Sequence, residues 1–197
     1  MKRKIMMFIA VLGLAVVLAS CGKVPQAKID ATVASIDSVK VLGADVYVPE
    51  AFKAIQDSMN VVNQVVEVNK SKLFKSYKKA EKMLVIVDQM VADTKVKTEV
   101  KKAEVKAETE TLLTEVKGLV EQNTVLLAKA PRGKEGRMAL EAIGADVQII
   151  NLLVTEAEKL LTDGSYMDAN TKIKLAKEKA TSIKTELESV LQKAGRK

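Results

Sequence analysis

The feature that most constrains this chain is residues 71–130, which contain no proline and a single glycine, Gly118. Proline breaks helices and glycine weakens them, so their near absence favours helix throughout. Strong helix formers such as Lys, Glu and Ala fill the stretch. The sequence therefore predicts one very long helix, about 90 Å if unbroken. The alternative is a break near Thr94.

Apolar residues in the first part of this stretch follow alternating steps of four and three, the heptad seam of a coiled coil. They are Leu73, Tyr77, Ala80, Leu84, Val87 and Val91. The seam resumes with Leu112, Val116, Leu119, Val120 and Leu126. Residues 92–111 between them are rich in Lys, Glu and Thr. We therefore expect the two ends of the helix to pack and its middle to be exposed.

Turn signals divide the rest of the chain into further helices with apolar residues at helical spacing. The signals are Gly43-Ala44-Asp45, Pro49, Asn69-Lys70-Ser71, the loop Pro131–Gly136 and Asp163-Gly164. The predicted helices cover about 27–42, 49–68, 71–130, 137–161 and 166–192. The predicted fold class is all-α: antiparallel helical hairpins or a bundle of about five helices, one of them very long.

A tetrapeptide recurs in the two halves of the chain. Gly43-Ala44-Asp45-Val46 matches Gly144-Ala145-Asp146-Val147, and each copy is followed by an apolar helix, a polar turn and a lysine-rich helix. One interpretation is an internal duplication, with two related three-helix units that share the 71–130 helix. The other is a chance match among alanine-rich helices.

The N-terminus combines a basic start with an apolar run over residues 5–18 that is too short to span a bilayer comfortably. Leu18-Ala19-Ser20-Cys21 follows. This arrangement resembles a bacterial lipoprotein signal with its lipobox, in which the cysteine is acylated and becomes the first mature residue. The resemblance implies a signal peptide (1–20) and a lipidated tether (21–27). The helix pattern then predicts a helical domain (28–194) and a flexible basic tail (195–197). The alternative for Cys21 is an unpaired thiol after an ordinary signal or a short membrane helix.

The resemblance also implies a location. In this class an aspartate after the cysteine commonly marks retention in the inner membrane, and here Gly22 and Lys23 follow instead. Several acyl chains, such as palmitate, would anchor the chain more durably than one. The implied location is the cell envelope, with the outer membrane facing the periplasm favoured.

The second half of the chain has a turn followed by small residues at helical spacing. They are Leu160-Leu161, Gly164-Ser165-Tyr166, Ala169, Ile173, Ala176 and Ala180. This pattern resembles a tetratricopeptide-like helical hairpin, although the tryptophan and closing proline of a full unit are missing.

The first half has Tyr47-Val48-Pro49-Glu50, Ser76-Tyr77 and Ala80. It resembles an uncharacterised family of bacterial envelope lipoproteins built from such hairpins. The resemblance implies a helical interaction scaffold in the periplasm.

The composition argues against catalysis. The chain has no histidine, the usual general base and the commonest metal ligand, and no glycine-rich phosphate loop. Glu104, Glu108 and Glu110 crowd the middle of the long helix, but interleaved lysines favour a solvated face over a cation site. Arginine is scarce after Cys21, which argues against nucleic-acid binding. We expect no enzyme, no cofactor and no metal.

Two basic segments are candidate sites. Arg132, Lys134 and Arg137 lie where a loop enters a helix N-terminus, which could bind an anion, although a charged surface loop is the simpler interpretation. The chain ends in Arg196-Lys197. Some helical outer-membrane lipoproteins end in this way, with the last lysine linked to peptidoglycan, so the resemblance makes Lys197 a candidate acceptor. A basic helix end that complements the helix dipole is the alternative.

The lipobox, the long helices and the lack of an active site lead to one leading hypothesis. The protein is a membrane-anchored, non-enzymatic structural or protein-interaction module of the envelope, with an envelope protein as its partner. One alternative is a peptidoglycan tether through Lys197. The other is a helical lipoprotein that binds a small ligand or lipid between its helices.

Overall fold

A computed structural model describes residues 22–131 and 136–194. These residues form an all-α fold with one very long helix, which confirms the predicted fold class. The helices are α1 (Gln26–Val41), α2 (Ala44–Tyr47), α3 (Pro49–Lys70), α4 (Lys78–Lys129), α5 (Arg137–Thr162) and α6 (Tyr166–Ala194). The single-turn helix α2 occupies a segment that the turn signals assigned to a break.

Helix α4 runs for 52 residues without interruption, which confirms the predicted long helix over the alternative of a break near Thr94. It begins at Lys78 rather than near residue 71, because residues 71–74 form a turn and bends and residues 75–77 have no regular secondary structure. The assignment of Leu73 to the heptad seam is therefore wrong: Leu73 lies in this loop and is 94% exposed. The rest of the first seam, from Tyr77 to Val91, is buried as predicted.

Two glycines with positive φ close the helices that precede them. Gly43, at φ 98°, donates its N–H to the carbonyl of Lys40 just after α1. Gly164, at φ 80°, follows α5, and the N–H of Ser165 bonds to the carbonyl of Leu160 at 2.9 Å. This pattern is a Schellman motif, in which glycine takes the left-handed position without a Cβ penalty. The chain therefore turns at both glycines because glycine allows a positive φ angle there.

The contacts of the chain divide it into two units at the boundary between Val100 and Lys101. Unit 1 consists of α1, α2, α3 and the first part of α4, and its core is aliphatic apart from two aromatic residues. The core residues are Ile29, Ile36, Val39, Ala44, Phe52, Ile55, Met59, Val62, Val66, Tyr77, Ala80, Leu84, Val87 and Val91. Lys28 of α1 reaches Glu81 of α4 at 3.1 Å, so these two helices start at the same end of the unit.

Unit 2 consists of the second part of α4 with α5 and α6. Contacts at successive positions, Glu115 with Lys177 and Gln122 with Lys184, show that α4 and α6 run parallel. Helix α5 lies between α4 and α6 in the sequence, and its side chains pack in the same core. The core residues are Leu112, Leu113, Val116, Ala130, Ile143, Val147, Ile150, Val154, Ala157, Ile173, Ala176, Ala180, Ile183 and Leu187.

The middle of α4 differs from the expectation of an exposed segment. Four residues on one stripe are buried: Thr94, Thr98, Val105 and Thr109. The Thr98 hydroxyl donates to the carbonyl of Thr94, and the Thr109 hydroxyl to that of Val105, both at 2.7 Å. Because these hydroxyls bond to the carbonyl four residues earlier, threonine can be buried without an unsatisfied donor.

The two copies of the recurring tetrapeptide occupy different positions. Gly43 closes α1 in a left-handed conformation, whereas Gly144 lies inside α5. The four matching letters therefore do not mark corresponding turns. The duplication itself stays a prediction.

Candidate functional site

Most of the residues that the sequence proposed as sites fall outside the described parts of the chain. These are Cys21, Lys197, Arg132 and Lys134. Their proposed roles in lipidation, peptidoglycan attachment and anion binding stay predictions. Arg137 is the remaining candidate.

Arg137 is the first residue of α5 and forms an ion pair. Its Nε lies 3.2 Å from a carboxylate oxygen of Glu141, one turn further along the helix. Both side chains border a groove of about 490 Å³ together with Leu127 and Leu140. A carboxylate beside the guanidinium group competes with any bound anion, so the described part of this segment does not strengthen the anion-site prediction.

The crowded carboxylates of α4 each have a lysine partner. Glu108 meets Lys174 of α6 at 2.7 Å, while Glu104 and Glu110 pair with lysines of their own helix. The hydrogen bond from Lys174 is the main reason that the pKa of Glu108 is lowered. Within residues 22–131 and 136–194, no group of three or more His, Cys, Asp or Glu is placed to hold a metal ion.

Several polar contacts join α4 and α6. Glu108, Glu115 and Gln122 lie one heptad apart on α4 and meet Lys174, Lys177 and Lys184, respectively, at 2.7–2.9 Å. Below the surface, the Asn123 amide donates to the carbonyl of Ala180 at 2.8 Å. These contacts fix the alignment of two helices. Exposed pairs of this kind contribute little energy individually, about 0.2–1 kcal/mol each.

The outer face of α5 is the candidate functional site. It carries an apolar series at steps of four and three, here called the outer stripe: Met138, Ala142, Ala145, Ile149 and Leu152. All five are exposed, Met138 at 80% and Leu152 at 63%. The opposite face of the same helix packs in the unit 2 core through Ile143, Val147, Ile150, Val154 and Ala157.

Two apolar faces give α5 a high mean hydropathy, 1.4 over its most apolar window. Among the helices within the described ranges, it alone is long and apolar enough to cross a membrane by length and composition. Its inner face nevertheless packs against α4 and α6 in the core of a helical bundle. The high hydropathy therefore follows from an outer stripe added to an ordinary core face.

The inner face of α5 was predicted correctly from the sequence, but the outer stripe was missed. The signal was available, because residues 138, 142, 145, 149 and 152 form a second heptad series out of phase with the first. It was hidden because every apolar residue of a helix is first attributed to one core.

Comparisons of the chain with protein-family models, curated proteins and solved structures gave no match. The resemblances to lipoproteins and to tetratricopeptide-like hairpins therefore stay predictions.

Proposed function

We propose that this protein is a lipid-anchored, non-enzymatic interaction module of the cell envelope that binds an envelope protein through the outer stripe of α5. The anchor would be Cys21, in the outer membrane and facing the periplasm, as the lipobox resemblance implies. The single observation that supports partner binding is the stripe itself. Contiguous apolar surface on a folded domain is typical of interaction sites.

The geometry of the stripe favours a helical partner. Residues at alternating steps of four and three present a straight apolar seam to a second helix, and polar residues such as Glu141, Asp146 and Gln148 border it. Burying a side chain the size of Ile149 or Leu152 contributes about 1.5–3 kcal/mol. A few such contacts are enough for a specific complex, because a small number of central residues usually dominates binding energy.

Site-specific photo-crosslinking in cells tests this proposal. A photoreactive amino acid at Leu152 lies on the stripe, while one at the neighbouring exposed Asn151 points away from it and serves as the matched control. We expect a discrete protein adduct from position 152 and none from 151. The further substitution Ile149→Glu should reduce the adduct strongly, because it places a charge in the seam.

Equal adducts from both positions, or an adduct at 152 that persists with Ile149→Glu, would contradict binding through the stripe. Circular dichroism of the Ile149→Glu protein checks that the helices remain folded. Ile149 is exposed, so this substitution should not disturb the unit 2 core.

A further inference from the structure

The loop between α3 and α4, residues 71–77, exposes two adjacent large apolar side chains. Leu73 is 94% exposed and Phe74 is 89% exposed. The loop is nevertheless fixed at its base, because Tyr77 belongs to the unit 1 core and its carbonyl accepts the N–H of Glu81 at 2.9 Å. The loop therefore exposes an apolar tip to water on a folded base. Transfer of Leu73 and Phe74 from water into an apolar medium would be favourable.

The surroundings of this tip are strongly basic. Lysines occur at 70, 72, 75, 78, 79 and 82, against two carboxylates in residues 67–82. Both carboxylates form ion pairs, Glu67 with Lys70 at 2.6 Å and Glu81 with Lys28 at 3.1 Å. The lysines that flank the tip form no ion pair within the described parts of the chain. These are Lys72, Lys75, Lys78 and Lys79. Apolar side chains surrounded by unpaired cations suit an anionic lipid surface.

The loop lies at the end of unit 1 where the mature chain would begin. The ion pair between Lys28 and Glu81 places the start of α1 beside the start of α4, and Val24 packs against the unit 1 core. Only residues 22–25 separate Cys21 from α1, so even a fully extended chain keeps it within about 18 Å of Gln26. A lipid on Cys21 would therefore hold this end of unit 1 close to the bilayer.

We propose that the α3–α4 loop is a membrane-contact site that inserts Leu73 and Phe74 into an anionic bilayer, with its lysines on the lipid head groups. The argument from chain reach rests on the proposed anchor at Cys21, whereas the arguments from exposure and charge do not. A protein partner or a second copy of the chain fits less well. The tip offers two apolar residues rather than an extended seam, and its charge is of one sign.

Tryptophan fluorescence tests insertion directly, because the chain contains no tryptophan. Phe74→Trp places a single indole at the tip. Val41→Trp is the matched control: Val41 is 90% exposed and lies at the far end of α1, about 20 Å along the helix from Lys28. The full-length proteins, purified from membranes, are added to excess phosphatidylcholine vesicles with or without phosphatidylglycerol. Brominated acyl chains serve as quenchers.

We expect the emission of Phe74→Trp to shift to shorter wavelength with vesicles and to be quenched by the brominated chains. Both effects should be larger with phosphatidylglycerol, and Lys72→Glu with Lys75→Glu should remove that difference. Val41→Trp should show neither effect. Emission from Phe74→Trp that matches Val41→Trp would overturn the proposal. A blue shift that is present without vesicles or detergent and that grows with protein concentration would also overturn it, because it would indicate contact between copies.

Flotation of the vesicles and the mass of the Cys21 peptide report the anchor separately. If the Phe74→Trp protein floats and carries the lipid while its indole stays unquenched by bromine, the loop proposal is overturned and the anchor is left intact. An unmodified Cys21 with a vesicle-dependent shift at the tip would support the loop and contradict the anchor.

Discussion

Two glycines of unit 2 occupy backbone positions with opposite requirements. Gly164 has a φ of 80° in the turn after α5, where a side chain is strained. Gly118 lies within α4, and a Cβ there would meet no atom within 4 Å. The first glycine is required by the turn, while the second only increases the flexibility of the unfolded chain.

We therefore expect the two alanine substitutions to change stability in opposite directions. Gly164→Ala should lower the free energy of unfolding by about 1–2 kcal/mol, and Gly118→Ala should raise it by about 0.5–1 kcal/mol. Denaturant titration followed by circular dichroism measures both. Because the two positions lie in the same unit, each is the control for the other, and changes of the same sign would contradict the assigned roles.

Polar residues in helix seams show where prediction from single residues fails. Thr98 and Asn123 are fully buried. Thr98 lies in the segment 92–111 that was expected to be exposed, and Asn123 was not among the predicted core residues. The Thr98 hydroxyl bonds to its own helix, and the Asn123 amide reaches the carbonyl of Ala180 in α6. A sequence pattern does not show such partners, because they depend on the backbone of the same or the neighbouring helix. Apolar positions such as Leu84 and Val116 were predicted correctly because burial follows directly from their chemistry.

At the level of helices, most boundaries could be predicted because proline and glycine mark them. Pro49 stands at the first turn of α3 and Gly164 follows α5, as their backbone preferences require. The start of α4 could not be predicted in the same way. The heptad spacing extends back to Leu73 through residues 71–77, and no proline or glycine interrupts it. Spacing alone does not show that a segment has no partner to pack against.

Adjacent isoleucines on α5 provide a test of its two faces. Ile150 is fully buried in the unit 2 core, whereas Ile149 lies on the outer stripe. Ile150→Ala should lower the free energy of unfolding by about 2–5 kcal/mol, because it leaves a cavity. Ile149→Ala should change it by about 0.5 kcal/mol or less, as for other surface substitutions. Thermal or denaturant unfolding of the two variants measures the difference, and equal losses would show that the stripe is part of the core.

For the whole molecule, the two units have separate cores that share no residue. A cavity in one core should therefore open that unit first. In Ile55→Ala, we expect faster hydrogen exchange in α1, α3 and the first part of α4, with α5 and α6 still protected. Hydrogen exchange measured by mass spectrometry resolves these helices. The same acceleration in α6 as in α1 would mean that the two units unfold as one.

The fold class could be predicted from the sequence because it depends on periodic patterns repeated along the whole chain. The candidate sites could not be predicted equally well. The outer stripe and the pair Leu73-Phe74 are candidate sites because their apolar side chains stay exposed in the folded units. That property belongs to the assembled units rather than to any local pattern.

The continuity of α4 has a consequence for the order of folding. Starting a helix is unfavourable, because several residues are fixed for the first hydrogen bond, whereas adding residues to an existing helix is cheap. Unit 1 precedes unit 2 in the chain, so it enters the compartment where the chain folds before unit 2 does and can complete its bundle and stabilise the beginning of α4. The remaining half then grows by elongation from a folded end. Helices α5 and α6 therefore meet a preformed template, and unit 2 avoids the slow initiation of its first helix.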